Sequence, residues 1–265
     1  MGILNRTPDS FFDQGATYGL DDLVRRAEQM VDEGADLLDI GGVKAGPGPE
    51  VSEAEEVDRV VPAVTAVRER VDIAISVDTW RAAVLDEACR AGAVVGNDIS
   101  GFADPDYLRV AQERAASVIA THIRLAPRVP DPDPHYDDLL GEVRAFLVER
   151  ARRAREAGLS ADRIALDAGL DLGKTPAMSA VLLRESDVLA DCGHALLLSA
   201  SNKRFLGELL DLELDDRRDA SLAAVAYGVA HGCRIVRVHD VAGTVRVCRV
   251  VEAVLAAAGS PLAAR

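Results

Sequence analysis

Ile73-Ala74-Ile75-Ser76-Val77 is a short, nearly continuous apolar run rich in β-branched residues, and Asp78 follows it at once. Such a run suits a strand buried on both faces, as in a parallel sheet covered by helices. Runs of the same kind recur at Met1–Leu4, Asp36–Ile40, Val94–Gly96, Ser117–Thr121, Arg163–Leu166, Ala195–Leu198 and Arg234–Val238. Helical patterns lie between them, at Asp21–Glu33, Ser52–Arg70, Arg81–Ala91, Asp104–Arg114, Asp137–Ala157, Met178–Ala190, Asp215–His231 and Thr244–Ala257, with Asp21 and Ser52 as candidate caps. Eight such units in 265 residues give about 33 residues per unit, the βαβ scale. The pattern predicts an α/β fold, a (β/α)8 TIM barrel in a single domain over residues 1–265, with an open doubly wound sheet as the alternative.

Composition narrows the function. The chain carries 30 basic and 44 acidic residues, a net charge of −14. That balance argues against sequence-independent binding of nucleic acid, which needs a basic face, and against a basic amphipathic membrane surface. No apolar run approaches a membrane span, and no charged-then-apolar leader precedes Asn5. Cys89, Cys192, Cys233 and Cys248 lack metal or redox spacing and read as reduced thiols of a cytoplasmic protein. Only three of the 30 basic residues are lysines, Lys44, Lys174 and Lys203, so their positions carry information.

In a barrel, active sites gather at the carboxyl ends of the strands. Here those ends present Asn5, Asp39, Asp78, Asn97-Asp98, His122, Asp167, Ser199 to Lys203, and Arg237-Val238-His239-Asp240. Any one could be a turn residue or a cap; together they describe a polar cavity. The three lysines follow strands two, six and seven, on the same predicted face, which suggests a cationic pocket for an anion in an otherwise acidic protein. Ala168 to Thr175 resembles a phosphate loop, but Pro176 and Met178 put the helix start too late for a phosphate cradle at the Lys-Thr step. Arg237 and His239 are two apart, so in a strand they share a face. Two cations directed into a buried layer favour an oxyanion such as pyrophosphate, with a salt bridge to Asp240 or Asp78 as the structural alternative. Asp39, Asp78 and Asp167 could be ligands, acids or caps, or acceptors for the N–H groups of a flat polar ring.

Taken in order, these residues resemble the dihydropteroate synthase family over nearly the whole chain. The segments that carry the likeness are Met1-Gly2-Ile3-Leu4-Asn5-Arg6-Thr7-Pro8-Asp9-Ser10-Phe11, Asp39-Ile40-Gly41-Gly42, Ser76-Val77-Asp78-Thr79, Asn97-Asp98-Ile99-Ser100-Gly101, Leu166-Asp167 with Gly173-Lys174-Thr175, Ser201 with Lys203-Arg204-Phe205, and Val236-Arg237-Val238-His239-Asp240. The family joins 6-hydroxymethyl-dihydropterin pyrophosphate to p-aminobenzoate and releases pyrophosphate in folate biosynthesis. The resemblance implies that Asp78, Asn97, Asp167 and Lys203 hold the pterin, and that Asn5, Arg237 and His239 hold the pyrophosphate, with Mg²⁺ beside Asn5. Asn5, Lys203, Arg237 and His239 would then be the catalytic group. Phe11, Lys44, Pro47, Ser201 and Asn202 would line the pocket of the aromatic amine acceptor. The family also implies a homodimer.

The departures from the family concentrate on the acceptor side. Arg6 stands where a small apolar residue is usual, and Val43-Lys44-Ala45-Gly46-Pro47-Gly48 replaces the usual Glu-Ser-Thr-Arg-Pro-Gly. Asn202 replaces an arginine, Ala168 a proline and Leu172 a phenylalanine. This pattern resembles the divergent second-copy actinobacterial synthases, a subgroup regarded as inactive in the standard reaction. It implies kept pterin binding with weakened use of p-aminobenzoate. Two alternatives stand beside a transferase: a pterin-binding paralogue without turnover, and a relative of the pterin-dependent methyltransferases. A methyl donor, however, needs no pyrophosphate site.

Overall fold

The computed structural model describes residues 1–7 and 19–257. Eight parallel strands form one sheet in chain order: β1 (Gly2–Asn5), β2 (Leu37–Gly41), β3 (Ala74–Asp78), β4 (Val95–Asp98), β5 (Ser117–Thr121), β6 (Ile164–Asp167), β7 (Ala195–Leu198) and β8 (Cys233–Val236). Each strand pairs with its sequence neighbour, so the sheet curls and one face becomes an interior. Beyond β8, Val238 makes a parallel bridge to Gly2. The Ile3 N–H donates to the Val238 carbonyl at 3.0 Å, and the Val238 N–H donates to the Met1 carbonyl at 2.9 Å.

The helices are α1 (Leu20–Asp32), α2 (Glu53–Arg68), α3 (Ala82–Ala91), α4 (Tyr107–Glu113), α5 (Leu139–Glu156), α6 (Pro176–Arg184), α7 (Ser186–Ala190), α8 (Arg204–Leu210), α9 (Arg218–Ala230) and α10 (Val241–Ala257). Their apolar faces pack on the outer side of the sheet in one large cluster that includes Leu4, Leu38, Ile75, Val118, Leu166, Leu196 and Leu198. A second, small cluster of Met1, Ile119, Ala165 and Leu197, flanked by Leu37, Val95, Ala195 and Ile235, fills the inner side. Alternate residues along each strand serve the two layers, which is why the strand sequences are apolar at nearly every position.

Ser52 caps α2, its hydroxyl accepting from the Glu55 N–H at 3.2 Å. Asp21 lies inside the first turn of α1, where its charge favours the helix N-terminus, and Gly19 takes the cap position without a side-chain bond. The helix expected over Met178–Ala190 breaks into α6 and α7 at Glu185. The seven-residue α8 was not expected; it follows directly on Lys203 in what reads as a polar exit loop. Among the described residues, no helix is long and apolar enough to cross a membrane.

Candidate active site at the strand ends

The carboxyl ends of β1 to β4 align Asn5, Gly41, Asp78 and Asn97 in one register row. Gly41 contributes no side chain, and a Cβ there would lie 3.5 Å from Asn5 Oδ1 and 3.4 Å from the Asp78 Cβ. Asn5 and Asp78 therefore flank a gap rather than a wall. Asp39, two residues back along β2 and on the same face, is fully buried. Its Oδ2 accepts from Arg237 Nε at 2.6 Å and from Asn97 Nδ2 at 3.1 Å, whereas its Oδ1 has no partner. The other branch of the guanidinium, Nη2, donates to Asp78 Oδ2 at 2.7 Å. One cation thus serves two carboxylates, Asp39 fully buried and Asp78 partly so. Burial, with Asp39 and further carboxylates adding to it against the pull of Arg237, pushes Asp78 up to about 7. Burial works against the Arg237 charge, but Asp39 and Asp78 outweigh it and keep the guanidinium protonated.

Asp167 ends β6. Its Oδ1 accepts from the Gly169 N–H at 2.8 Å, and burial raises its pKa against the fields of Lys203, Lys174 and Arg237. Lys203 approaches from the β7 exit, and its Nζ donates to the Leu170 carbonyl at 2.6 Å. Burial lowers its pKa while Asp167 and Asp171 hold it up. Asp78, Asn97, Asp167, Lys203 and Arg237 are thereby gathered at one end of the sheet.

Two of the expected cations behave differently. Lys174 is 1% exposed, and its Nζ is surrounded by His122 Nδ1 at 2.9 Å and the carbonyls of Gly169 and Leu172 at 2.9 and 3.0 Å. It holds a loop together and does not join Lys203 in an open cationic pocket. His239 is not a second cation either: burial, then Arg237 and Arg26, depress its pKa to about 3. Its Nδ1 lies 3.0 Å from Ser201 Oγ, which also accepts from the His239 N–H at 3.2 Å, and its carbonyl accepts from Arg26 at 2.9 Å. With the serine hydrogen on Nδ1, the ring proton sits on Nε2, so the imidazole can donate while remaining neutral.

The residues expected to form the acceptor pocket do not gather in one place. Ser201 is engaged with His239. Asn202, 6% exposed and in the left-handed region at φ 57°, turns towards α9: its N–H donates to Ser221 Oγ at 2.9 Å and its Oδ1 accepts from the same hydroxyl at 3.3 Å. Both line a cavity of about 290 Å³ between α1, α9 and α10. Pro47 lines a different cavity, of about 320 Å³, together with Ile123, Leu125, Val129 and Leu172 from the fifth and sixth exit loops. Lys44 is half-buried, and its carbonyl accepts from Arg128 Nη1 at 3.3 Å. The Arg128 N–H also donates to the Ala45 carbonyl at 3.3 Å, and its Nη2 donates to that of Pro49. Phe11 lies outside the described residues. Among the described residues, no group of three or more His, Cys, Asp or Glu side chains could hold a metal ion.

Sequence reasoning gave Asp39 no specific role and did not single out Arg128. The signal for Asp39 was present, because an acid within the apolar Asp36–Ile40 run must be paired when buried. Arg128 is one arginine among many, in a stretch with no motif.

Residues 1–239 match the family model described as pterin binding enzyme. The dihydropteroate synthase of Bacillus subtilis (strain 168) is 40% identical over 257 residues, 96% of this chain and 88% of that protein. The inactive dihydropteroate synthase 2 of Mycobacterium leprae (strain TN) is 42% identical over 264 residues, 96% of this chain and 89% of that one. The crystal structure of the Yersinia pestis dihydropteroate synthase with a sulfonamide drug superposes with a TM-score of 0.93 at 39% identity, over 97% of this chain and 93% of its own.

Proposed function

Given that this chain belongs to the pterin-binding enzyme family, and within it to the dihydropteroate synthases, we propose that it transfers the 6-methylene-dihydropterin group from its pyrophosphate to an aromatic amine. The reaction breaks the pterin methylene–oxygen bond, releases pyrophosphate and forms a carbon–nitrogen bond to p-aminobenzoate or a related acceptor, whose amine loses a proton. The observation that carries this reading is the convergence of Asp78, Asn97, Asp167, Lys203 and Arg237 at one end of the sheet.

Each group has a task that its surroundings suit. Asp78, Asn97 and Asp167 offer acceptors and an amide to the ring edge, and Lys203 supplies a cation at the same end of the sheet. Arg237 is already oriented by Asp39 and Asp78, so stabilising the departing pyrophosphate requires little rearrangement. His239 contributes as a neutral donor. Mg²⁺ fits this chemistry, because it is commonly bound through one or two protein oxygens and the substrate's phosphates. Asn5 Oδ1, at the gap over Gly41, would be the protein oxygen, and the ion when bound would neutralise developing phosphate charge.

Several finer readings belong with this proposal. The Gly2–Val238 bridge supports closure of the sheet into a (β/α)8 barrel spanning residues 1–265 as one domain. An apolar stripe on α10, with Val250, Val254 and Leu255 at least half exposed, supports a homodimer. Four free thiols support a cytoplasmic setting. A second reading, a pterin-binding paralogue with little turnover, is favoured by the second loop, where Arg128 ties down the carbonyls of the replaced residues Lys44 and Ala45 and that of Pro49 beyond them.

Pyrophosphate release from the pterin pyrophosphate, measured with and without p-aminobenzoate, tests the first reading against the second. Release that depends on p-aminobenzoate supports the transferase. Pterin binding by calorimetry without release supports the paralogue. The absence of both overturns the assignment of the site.

A further inference from the structure

The sixth exit loop, residues 168–175, uses its backbone carbonyls in an ordered way. Gly169, Asp171 and Gly173 all have positive φ, at 66°, 66° and 63°. A Cβ at Gly169 would collide with the His122 carbonyl oxygen, so that position is closed to side chains. The alternation turns the Gly169 and Leu172 carbonyls towards Lys174 Nζ, while the Leu170 carbonyl between them points the other way, to Lys203 Nζ. An ammonium has three N–H donors. Lys174 Nζ lies within reach of four acceptors: the Gly169 and Leu172 carbonyls and His122 Nδ1 at 2.9–3.0 Å, and the His122 carbonyl at 3.5 Å, while burial and then Lys203 lower its pKa to about 7.

Neutral His122 suits this arrangement. Burial first, then Lys174, depress its pKa to about 3, so Nδ1 is an acceptor and the ring proton is on Nε2. The ring is held edge-on to Phe146 at 4.8 Å between centroids. The loop is also fixed from its other flank. Asp171 Oδ2 accepts from the Phe205 N–H at 3.2 Å in the first turn of α8, and the Asp171 N–H donates to Ser179 Oγ at 3.0 Å. Asp167 Oδ1 is satisfied by the Gly169 N–H of the same loop. The loop thereby connects the ends of β5 and β6 to α8, and both pterin-side groups, Asp167 and Lys203, bond directly to it.

We propose that Lys174 is a positioning residue: by drawing in the carbonyls of Gly169 and Leu172 against His122, it presents the Leu170 carbonyl to Lys203 and so fixes the Lys203 ammonium beside Asp167. Lys174 does not touch the reacting atoms. This role rests on the pterin-site reading for its functional consequence, although the positioning of Lys203 itself does not depend on it.

The test uses the full chain with Lys174→Met, Lys203→Met and the double substitution, and it has two readouts. The first needs no pterin: the rate at which a small acylating reagent modifies Lys203, followed by mass spectrometry under native conditions. Lys174→Met should raise that rate at least fivefold in protein that remains folded by circular dichroism. Where Lys174→Met fails to fold, His122→Phe, which keeps an aromatic ring against Phe146 and removes the Nδ1 acceptor together with the Nε2–H, should raise it at least twofold. An unchanged rate overturns the proposal, whether or not pterin binds. The second readout is affinity for the dihydropterin pyrophosphate. Lys174→Met should weaken it about tenfold, and adding Lys174→Met to Lys203→Met should cost no more than twofold further, because the two act through one group. Additive losses also overturn the proposal. A wild-type protein that binds no pterin, with Lys203 acylation raised as expected, overturns the pterin reading and leaves the positioning of Lys203 supported.

Discussion

At the scale of single residues, the site is governed by one cation shared between two carboxylates. Asp78, pushed up to about 7, is roughly half protonated at neutral pH. A carboxylate accepts from ring N–H groups and the protonated acid does so poorly. Pterin affinity should therefore rise about tenfold between pH 6 and pH 8 and level off above, as expected for one group titrating near 7; calorimetry across that range checks it, and Asp78→Asn should flatten the profile. Arg237→Leu should do more than weaken pyrophosphate binding. It leaves Asp39 and Asp78 without their shared partner, and removing one member of a buried pair costs about 3–5 kcal/mol. Thermal unfolding should show a clear fall in Tm, larger at pH 8 than at pH 6, because Asp78 is mostly charged above 7. Asn202→Arg, which restores the family's residue, should not restore acceptor binding. The side chain at this position is buried against Ser221 in a left-handed backbone, so overpacking should cost about 1–3 kcal/mol and p-aminobenzoate turnover should not improve.

At the scale of elements, α2 explains one departure from the family. Pro62 lies inside this helix and has no N–H, so the Asp58 carbonyl one turn earlier lacks its helical donor. Arg6, at the exit of β1, reaches across and donates through Nη1 to the carbonyls of Asp58 at 3.2 Å and Arg59 at 2.7 Å. Arg59 in turn donates to the Gly42 carbonyl at 2.9 Å, which ties α2 to the second exit loop. Arg6→Ala should lower stability by about 0.5–1.5 kcal/mol, the net worth of such a hydrogen bond where water can replace the lost partner. Pro62→Ala should reduce that loss by supplying the missing N–H, so a double-mutant cycle in urea should show coupling between two positions far apart in sequence. Legibility divides along similar lines. The eight strands were legible because burial on both faces writes itself as unbroken apolar runs. The polar strand ends were legible because acids and amides stand out against those runs. The Arg237–Asp78 ion pair was legible as the structural alternative to an oxyanion; the pairing of Arg237 with Asp39, the neutrality of His239 and the inward turn of Asn202 were not, because they depend on burial and on contacts between residues far apart in the chain. The helix α8 escaped notice because it is short and starts directly after the strand-end residues Ser199 to Lys203, with no side-chain cap to mark its start.

At the scale of the whole molecule, the two apolar layers differ in size, and the site rests on the smaller. Met1, Ile119, Ala165 and Leu197 form the centre of the inner layer. Leu197→Ala should therefore lower stability by about 2–5 kcal/mol and, being on the strand that leads into Ser201 and Lys203, should also weaken pterin binding; denaturant titration and calorimetry measure the two effects separately. The α10 stripe offers a complementary check, since Val250→Asp with Val254→Asp should convert a dimer to a monomer in light scattering while leaving pterin affinity unchanged. The strand order has a further consequence for how the chain comes into being. Every pairing from β1–β2 to β7–β8 joins neighbours in sequence and can form as the nascent polypeptide emerges, whereas Gly2 must wait for Val238, at the far end of the message. At about 5–20 residues per second of translation, the free flank of β1 stays uncovered for on the order of ten to fifty seconds. During synthesis, that flank is the place where a chaperone would be needed and where two unfinished chains would most readily zip together.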